Sequence, residues 1–309
     1  MITLVGSYGV GLTMRSARIP VAGETISDGS FSSSHGGKGS NQAVAAARLG
    51  SSVAILTAVG RDEFGDSALE LWRAEGIDVD AVVRTGSPTM VGVILVDGDG
   101  ENRIVIAPGA LDDLTPAHVA SFEPAIAASD LLVVSLEIPL EVAAAALETA
   151  HRHGVRTLLN PAPARRIPAE VWPWIDVLTP NASEARTMLG LAPDALAADH
   201  ELVDRLRDVC EGVIVMTLGS AGALVDDGER RYRVDPVPPR AVVDTTGAGD
   251  TFTGALAHAL DQGTDLPAAV RLAAAAGAYA VGTAEVIPSI PHTEELDAFM
   301  NASVQAGAR

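Results

Sequence analysis

The sequence predicts an α/β fold: a doubly wound, mostly parallel sheet flanked by helices, with a small β lid. Three observations predict it. Short apolar runs bounded by turn residues recur along the chain without alternating polar and apolar, which suits strands buried on both faces. Segments of helical period lie between these runs, so strand and helix alternate. Two stretches break the alternation and read as a separate β layer.

In chain order, the expected strands are Ile2–Gly6, Val53–Gly60, Leu131–Leu136, Thr157–Leu159, Val177–Thr179 and Val213–Leu218. The expected helices are Ser40–Leu49, Glu63–Glu75, Pro116–Ala128, Leu140–His153, Ser183–Leu189, His200–Cys210, Ala248–Leu260 and Leu266–Ala280. Thr13–His35 is rich in Gly and Ser and has no helical period. Val91–Val96 and Arg103–Ile106 flank Asp97-Gly98-Asp99-Gly100-Glu101 and read as a hairpin. A lid from about 13–35 and 91–106 on a single domain spanning 1–309 is therefore expected.

Composition narrows the function classes. Of 309 residues, 48% are hydrophobic and 4% aromatic, so a large core must be built from Ala, Val, Leu and Ile. The net charge of -19 repels nucleic acid and anionic membranes. Local phosphate sites remain open, because backbone amides bind anions without net positive charge. A single cysteine, Cys210, excludes an internal disulfide and a thiolate-rich zinc site, and fits a reducing cytoplasm. The start MITLVGSYGV lacks the basic region of a signal peptide. Leu266–Ala284 is apolar but holds Pro267 and Arg271, and reads as a buried helix, not a membrane span.

Two motifs carry chemistry. Asp244-Thr245-Thr246-Gly247-Ala248-Gly249-Asp250-Thr251-Phe252 places a Gly-Ala-Gly turn at a helix start. Such a turn is an anion site, and a carboxylate inside it repels the anion it adjoins. The arrangement makes sense if Asp250 takes a proton while the turn holds a phosphoryl group in transit. The second motif is His35-Gly36-Gly37-Lys38-Gly39-Ser40-Asn41-Gln42, which holds the chain's only lysine. Its backbone amides, Lys38 and Asn41 suit the hydroxyls of a polar small molecule. It is not a Walker-type loop, and no dinucleotide fingerprint follows a strand. Glu137, Asn160, Asn181 and Thr217-Leu218-Gly219 each follow an apolar run, as ligand-binding loops do at the carboxyl ends of parallel strands.

These residues resemble the ribokinase, or PfkB-type, family of carbohydrate kinases over nearly the whole chain. Gly36–Ala43 and Asp244–Phe252 are similar to its two signatures. Asn160–Arg165, Thr179–Glu184 and Thr217–Ser220 match in order and spacing. The resemblance implies ATP-dependent phosphorylation of a pentose, with ribose first. It implies Asp250 as general base and Gly247, Ala248 and Gly249 as anion hole. Sugar hydroxyls would meet Gly37, Lys38, Gly39, Asn41 and Glu137. Asn181, Thr217, Gly219 and Gly222 would line the nucleotide pocket, and Glu184 would approach Mg²⁺ through water. K⁺ would activate through Asp244, Thr246, Ala280, Thr283, Glu285 and Ser289, mostly by backbone carbonyls. A homodimer through the lid is also implied.

Two departures stand out. Gly9 and Gly11 fall where ribokinases usually carry Asn and Asp, so two sugar contacts are lost and room near that wall is expected. Tyr8, Met14, Arg15 and His35 are the nearby side chains that could compensate. Glu285 falls where glycine is usual. Another sugar, a polyol or a nucleoside is therefore an alternative substrate. A non-catalytic sugar sensor is the alternative from another class, against which the intact Asp250 turn argues.

Overall fold

The computed structural model describes residues 1–307. The chain opens with β1 (Ile2–Val5), β2 (Gly9–Arg15) and β3 (Ser30–Gly36), then enters α1 (Lys38–Arg48). β4 (Val53–Leu56), β5 (Ala58–Gly60), α2 (Glu63–Ala74), β6 (Val83–Thr85), β7 (Val91–Val96) and β8 (Asn102–Ala107) follow. The middle of the chain supplies α3 (Pro116–Ala127), β9 (Leu131–Ser135), α4 (Leu140–His153) and β10 (Arg156–Asn160). Next come β11 (Val177–Leu178), α5 (Ala182–Met188), α6 (Asp199–Arg207) and β12 (Val213–Thr217). A hairpin of β13 (Ala223–Asp226) and β14 (Arg231–Val234) precedes α7 (Ala248–Asp261), α8 (Leu266–Ala280), α9 (Val286–Ser289) and α10 (Thr293–Gly307).

Eight strands form the main sheet in the order β14-β13-β12-β11-β10-β9-β1-β4. All pairs from β12 to β4 are parallel, and β13 and β14 add an antiparallel edge. The apolar runs lack alternation because both sheet faces are covered. Ile2, Leu4, Leu131 and Val133 enter one core with α1, α7 and α8. Val5, Leu132 and Val134 enter the other, with α3, α4 and α6. The mostly parallel sheet between helices agrees with the expected fold. The chain leaves β1 for β4 on one side and later lays β9 on the other, so strand order reverses between β1 and β9. Ligands of open α/β sheets bind at such a point.

The structure corrects three expected boundaries. Val53–Gly60 is not one strand: it breaks at Thr57, and β5 leaves the main sheet to pair with β6. The small sheet, ordered β3-β2-β7-β8, begins at Gly9 and ends at Ala107. Within 13–35 only the two ends are strand; residues 16–29 carry neither helix nor strand. Several apolar side chains of this sheet face solvent, among them Phe31 at 62% and Val105 at 73% exposure. No helix among the described residues is long and apolar enough to cross a membrane.

Candidate active site

α1 begins against the end of β1. A Cβ on Gly39 would lie 2.6 Å from the Ser7 nitrogen, so only glycine lets the helix start here. This contact points the Lys38 amide at Glu137, which follows β9. The Lys38 N–H donates to Glu137 Oε2 at 3.0 Å, and Ser7 Oγ donates to the same oxygen at 2.6 Å. Asn41, one turn on, donates from Nδ2 to Asp250 Oδ2 at 2.8 Å.

Asp250 comes from the first turn of α7. Gly247 precedes that helix with φ +79°, and a Cβ there would lie 2.4 Å from Val286 Cγ1. The turn therefore excludes any other residue on two counts. Thr251 N makes the first helical bond, to Gly247 O at 2.8 Å, which leaves the Gly249 and Asp250 amides before it. The Ala248 amide instead donates to Thr245 O at 3.3 Å. Open space surrounds the position of a Cβ on Gly249, so a ligand can approach the backbone there.

A cleft of about 220 Å³ gathers Lys38, Asn181, Glu184, Thr217, Gly247, Gly249 and Asp250, all expected from sequence. Asn160, Ala162, Thr179, Thr245 and Thr253 complete its wall. Gly37, Gly39 and Asn41 lie at the start of α1 behind Lys38, and Glu137 adjoins through the Lys38 amide. Larger depressions of about 430 and 640 Å³ lie elsewhere, the first beside Val82 and Phe122, the second beside Tyr232 and Arg271. Neither has a glycine in its lining.

The electrostatics of the cleft centre on one cation and three carboxylates. Burial pushes the Asp250 carboxyl above the usual range, while Lys38, Asn41 and Gln42 oppose the shift. Lys38 is held above its ordinary value, chiefly by Asp250 and further by Glu137 and Glu184, against burial. Burial also raises Glu184, opposed by the Asn181 amide and Lys38. The Lys38 ammonium sits in the field of all three carboxylates as a compact point charge, a shape that the planar fork of arginine does not reproduce.

Other expected residues have visible structural duties. Asn181 caps α5: its Oδ1 accepts the Glu184 amide at 2.8 Å, and its own N–H donates to Glu184 Oε2 at 2.8 Å. Thr217 ends β12. Gly219 and Gly222 shape the turn into β13, closed by Leu218 N to Gly222 O at 2.8 Å. Asp244 and Thr246 lie beside the end of α8, where Val243 N donates to Val281 O at 2.8 Å. Asp244 Oδ1 accepts the Thr246 amide at 2.9 Å. Ala280 ends α8, Thr283 follows, and Ser289 Oγ in α9 donates to Val286 O at 2.7 Å. Glu285 adopts φ +67° and ψ +150°, a conformation that favours glycine. Its side chain is exposed, so the carboxylate does not turn inward.

Gly9 does not provide the expected room. The Met90 Cε lies 2.2 Å from where its Cβ would stand, so the thioether fills that space. Gly11 is less crowded: its Cβ would meet Ser34 Oγ at 3.4 Å and Ile94 Cδ1 at 3.6 Å. Tyr8 does not replace the lost contacts either. It is fully buried, bonded to His35 Nδ1 at 2.7 Å and edge-on to Trp72. Sequence reasoning missed Ser7 and Gln42. Gln42 stood inside a quoted motif, but nothing local signals a contact across 208 residues.

A family model described as "pfkB family carbohydrate kinase" matches residues 2–293. A ribokinase of Schizosaccharomyces pombe is 36% identical, covering 97% of this chain and 98% of its own. A deoxyribokinase of Salmonella typhimurium is also 36% identical, covering 95% and 97%. The solved structure of an Arabidopsis thaliana ribokinase complexed with ribose and ATP superposes with TM-score 0.90 at 27% identity, covering 97% and 98%. This chain belongs to the pfkB family of carbohydrate kinases.

Proposed function

We propose that this protein phosphorylates the primary hydroxyl of a pentose, with ribose as first substrate: D-ribose + ATP to D-ribose 5-phosphate + ADP. The observation that carries the reading is Asp250, a buried carboxylate in a helix-opening glycine turn, bonded to Asn41 and adjoined by Lys38. The relatives named ribokinase, and the neighbour complexed with ribose and ATP, support the same substrates here.

Asp250 receives the proton of the attacking hydroxyl, and the hydroxyl oxygen forms its bond to the γ-phosphorus as the bond to ADP breaks. The Gly249 amide of the 247–249 turn stabilises charge on the transferring phosphoryl group, with Gly247 and Ala248 shaping the turn. Asn41 Oδ1 is buried without a hydrogen-bond partner and is suited to accept from a sugar hydroxyl. Lys38 and Glu137 complete the sugar contacts, with Gly37 and Gly39 supplying backbone. Asn181, Thr217, Gly219 and Gly222 border the nucleotide.

Glu184 fits Mg²⁺ approached through water: the cleft offers oxygen donors, and Mg²⁺ keeps water ligands and binds phosphate. When bound, Mg²⁺ neutralises phosphate charge. The oxygen-rich backbone around Asp244, Thr246, Ala280, Thr283, Glu285 and Ser289 fits K⁺. The small sheet acts as lid, and its exposed apolar side chains suit a homodimer through that lid. The chain works in the cytoplasm.

A second reading, a 2-deoxypentose, is favoured by the wall at Gly9, Gly11 and Met90. Glycine at both positions leaves Ser34 Oγ as the polar group beside Gly11, and a wall with fewer hydrogen-bonding side chains rejects a sugar lacking that hydroxyl less strongly. The filled space at Gly9 disfavours a nucleoside.

ADP release over a panel of pentoses, 2-deoxyribose, hexoses and nucleosides tests these readings. Turnover led by ribose supports the first. Turnover led by 2-deoxyribose moves the substrate and keeps the chemistry. Sugar binding without turnover across the panel overturns both.

A further inference from the structure

Asp250 is held by more than Asn41. Gln42 Nε2 donates to Asp250 Oδ1 at 3.2 Å and to Asn160 Oδ1 at 3.1 Å. Asn160 in turn donates from Nδ2 to the Thr179 carbonyl at 3.0 Å. Gln42, Asn160 and Asp250 are all buried.

The direction of each amide is dictated by its neighbour. A main-chain carbonyl accepts only, so Asn160 must turn its NH₂ to Thr179 and its oxygen to Gln42. Gln42 then faces two acceptors, Asn160 Oδ1 and Asp250 Oδ1, and must give both its protons to them. Its own oxygen, Oε1, is left buried with no partner. An unpaired buried acceptor is unfavourable, and the fold retains it here. What it obtains is a carboxylate gripped at both oxygens, Oδ2 by Asn41 and Oδ1 by Gln42.

We infer that Gln42, oriented by Asn160 from the end of β10, is a positioning residue that fixes the plane of the Asp250 carboxylate and favours its ionised form. The inference rests on Asp250 as the base. Asn41 and Gln42 each keep a free buried oxygen, but both Gln42 protons are committed within the protein, one of them to Asp250. Gln42 thus acts through Asp250 and Asn160 through Gln42. Hydrogen bonds to a carboxylate favour its charged state, so they counter the burial that raises Asp250.

The test compares Gln42→Met with the parent in pH profiles of kcat and kcat/KM for ribose and ATP. Losing one charge-assisted donor is expected to move the acid limb up by about one pH unit and lower kcat at neutral pH by about tenfold. The KM for ribose is expected to stay within about twofold, since ground-state sugar contacts are kept. Asn160→Leu removes the orienting acceptor and is expected to shift the limb in the same direction; it also carries the test if Gln42→Met does not fold. In an Asp250→Asn background, Gln42→Met is expected to change the residual rate less than about twofold, because its target is gone.

An unmoved acid limb with a raised ribose KM would make Gln42 a sugar contact and overturn the inference. Equal losses with and without Asp250 would make it structural and overturn it too. Full activity of Asp250→Asn alone would instead remove the base assignment, a separate failure visible before any Gln42 variant is made.

Discussion

Ser7 Oγ donates to Glu137 Oε2 at 2.6 Å and so ties the ends of β1 and β9 together across the reversal of the sheet. The Lys38 amide bonds the same oxygen, which joins the start of α1 to both strand ends. One carboxylate oxygen thus fixes three segments where the sugar is proposed to sit. Glu137→Gln keeps the shape but removes the charge and turns one oxygen into a donor. The ribose KM is expected to rise at least about tenfold, from the loss of charge-assisted bonds. Steady-state kinetics with ribose varied at saturating ATP would show it, and an unchanged KM would remove Glu137 from the sugar site.

Lys38→Arg tests whether charge alone suffices. The ammonium is held among Asp250, Glu137 and Glu184 in a cleft of about 220 Å³. A guanidinium is larger and planar and does not reproduce that point charge in the same space. Activity is expected to fall by about 10²-fold, the scale of a lost positioning contact. Thermal unfolding should change little, which separates the effect from misfolding.

Gly247→Ala is expected to damage both fold and rate. The new Cβ meets Val286 Cγ1 at 2.4 Å, and φ +79° is unfavourable for alanine. A destabilisation of about 1–3 kcal/mol follows from the backbone term alone. Adding Val286→Ala should relieve the clash but not the dihedral, so calorimetry should show partial recovery of Tm.

Glu285→Gly should have the opposite sign. Glutamate stands at φ +67°, ψ +150°, and its side chain is exposed. Glycine adopts this conformation without strain and gives up no buried side chain. Stabilisation of about 1 kcal/mol is expected, a rise of about 2 °C in Tm. If the K⁺ assignment holds, activation by K⁺ should persist, since only the carbonyl of this position is assigned to the ion.

The pH dependence of the parent enzyme follows from Asp250. Burial raises its carboxyl, so protonation removes the base at a higher pH than for an exposed carboxylate. The rate should therefore fall on the acid side with an apparent pKa above about 4, the ordinary carboxylate value. Stability has the opposite sense. A folded pKa raised above the unfolded one makes this group's contribution fullest below the unfolded pKa and weaker as pH rises through the folded value.

Much of the parallel sheet was legible because its strands are buried on both faces and read as continuous apolar runs. Leu131–Ser135 is the clearest instance, with alternate residues feeding the two cores. The hairpin of β13 and β14 was not, because Arg231-Tyr232-Arg233-Val234 is an exposed edge with little apolar signal. The break at Thr57 is equally silent, since Val53–Gly60 stays apolar while its hydrogen-bond partners change. Lys38 and Asp250 were legible from the chemistry of their glycine turns. The filling of the Gly9 space by Met90 was not, because it joins positions 81 residues apart through packing. Gln42 escaped notice for the same reason: its partner lies on α7, and the sequence shows only a polar residue in a helix.

The most direct measurement is ribose-dependent ADP release by the parent enzyme and by Asp250→Asn, with ribose binding followed in parallel by calorimetry. The account predicts turnover by the parent, a loss of about 10³-fold or more in the variant, and ribose affinity changed little, as removal of a general base requires. Turnover that survives in Asp250→Asn, or a parent that binds ribose and ATP without releasing ADP, would contradict it.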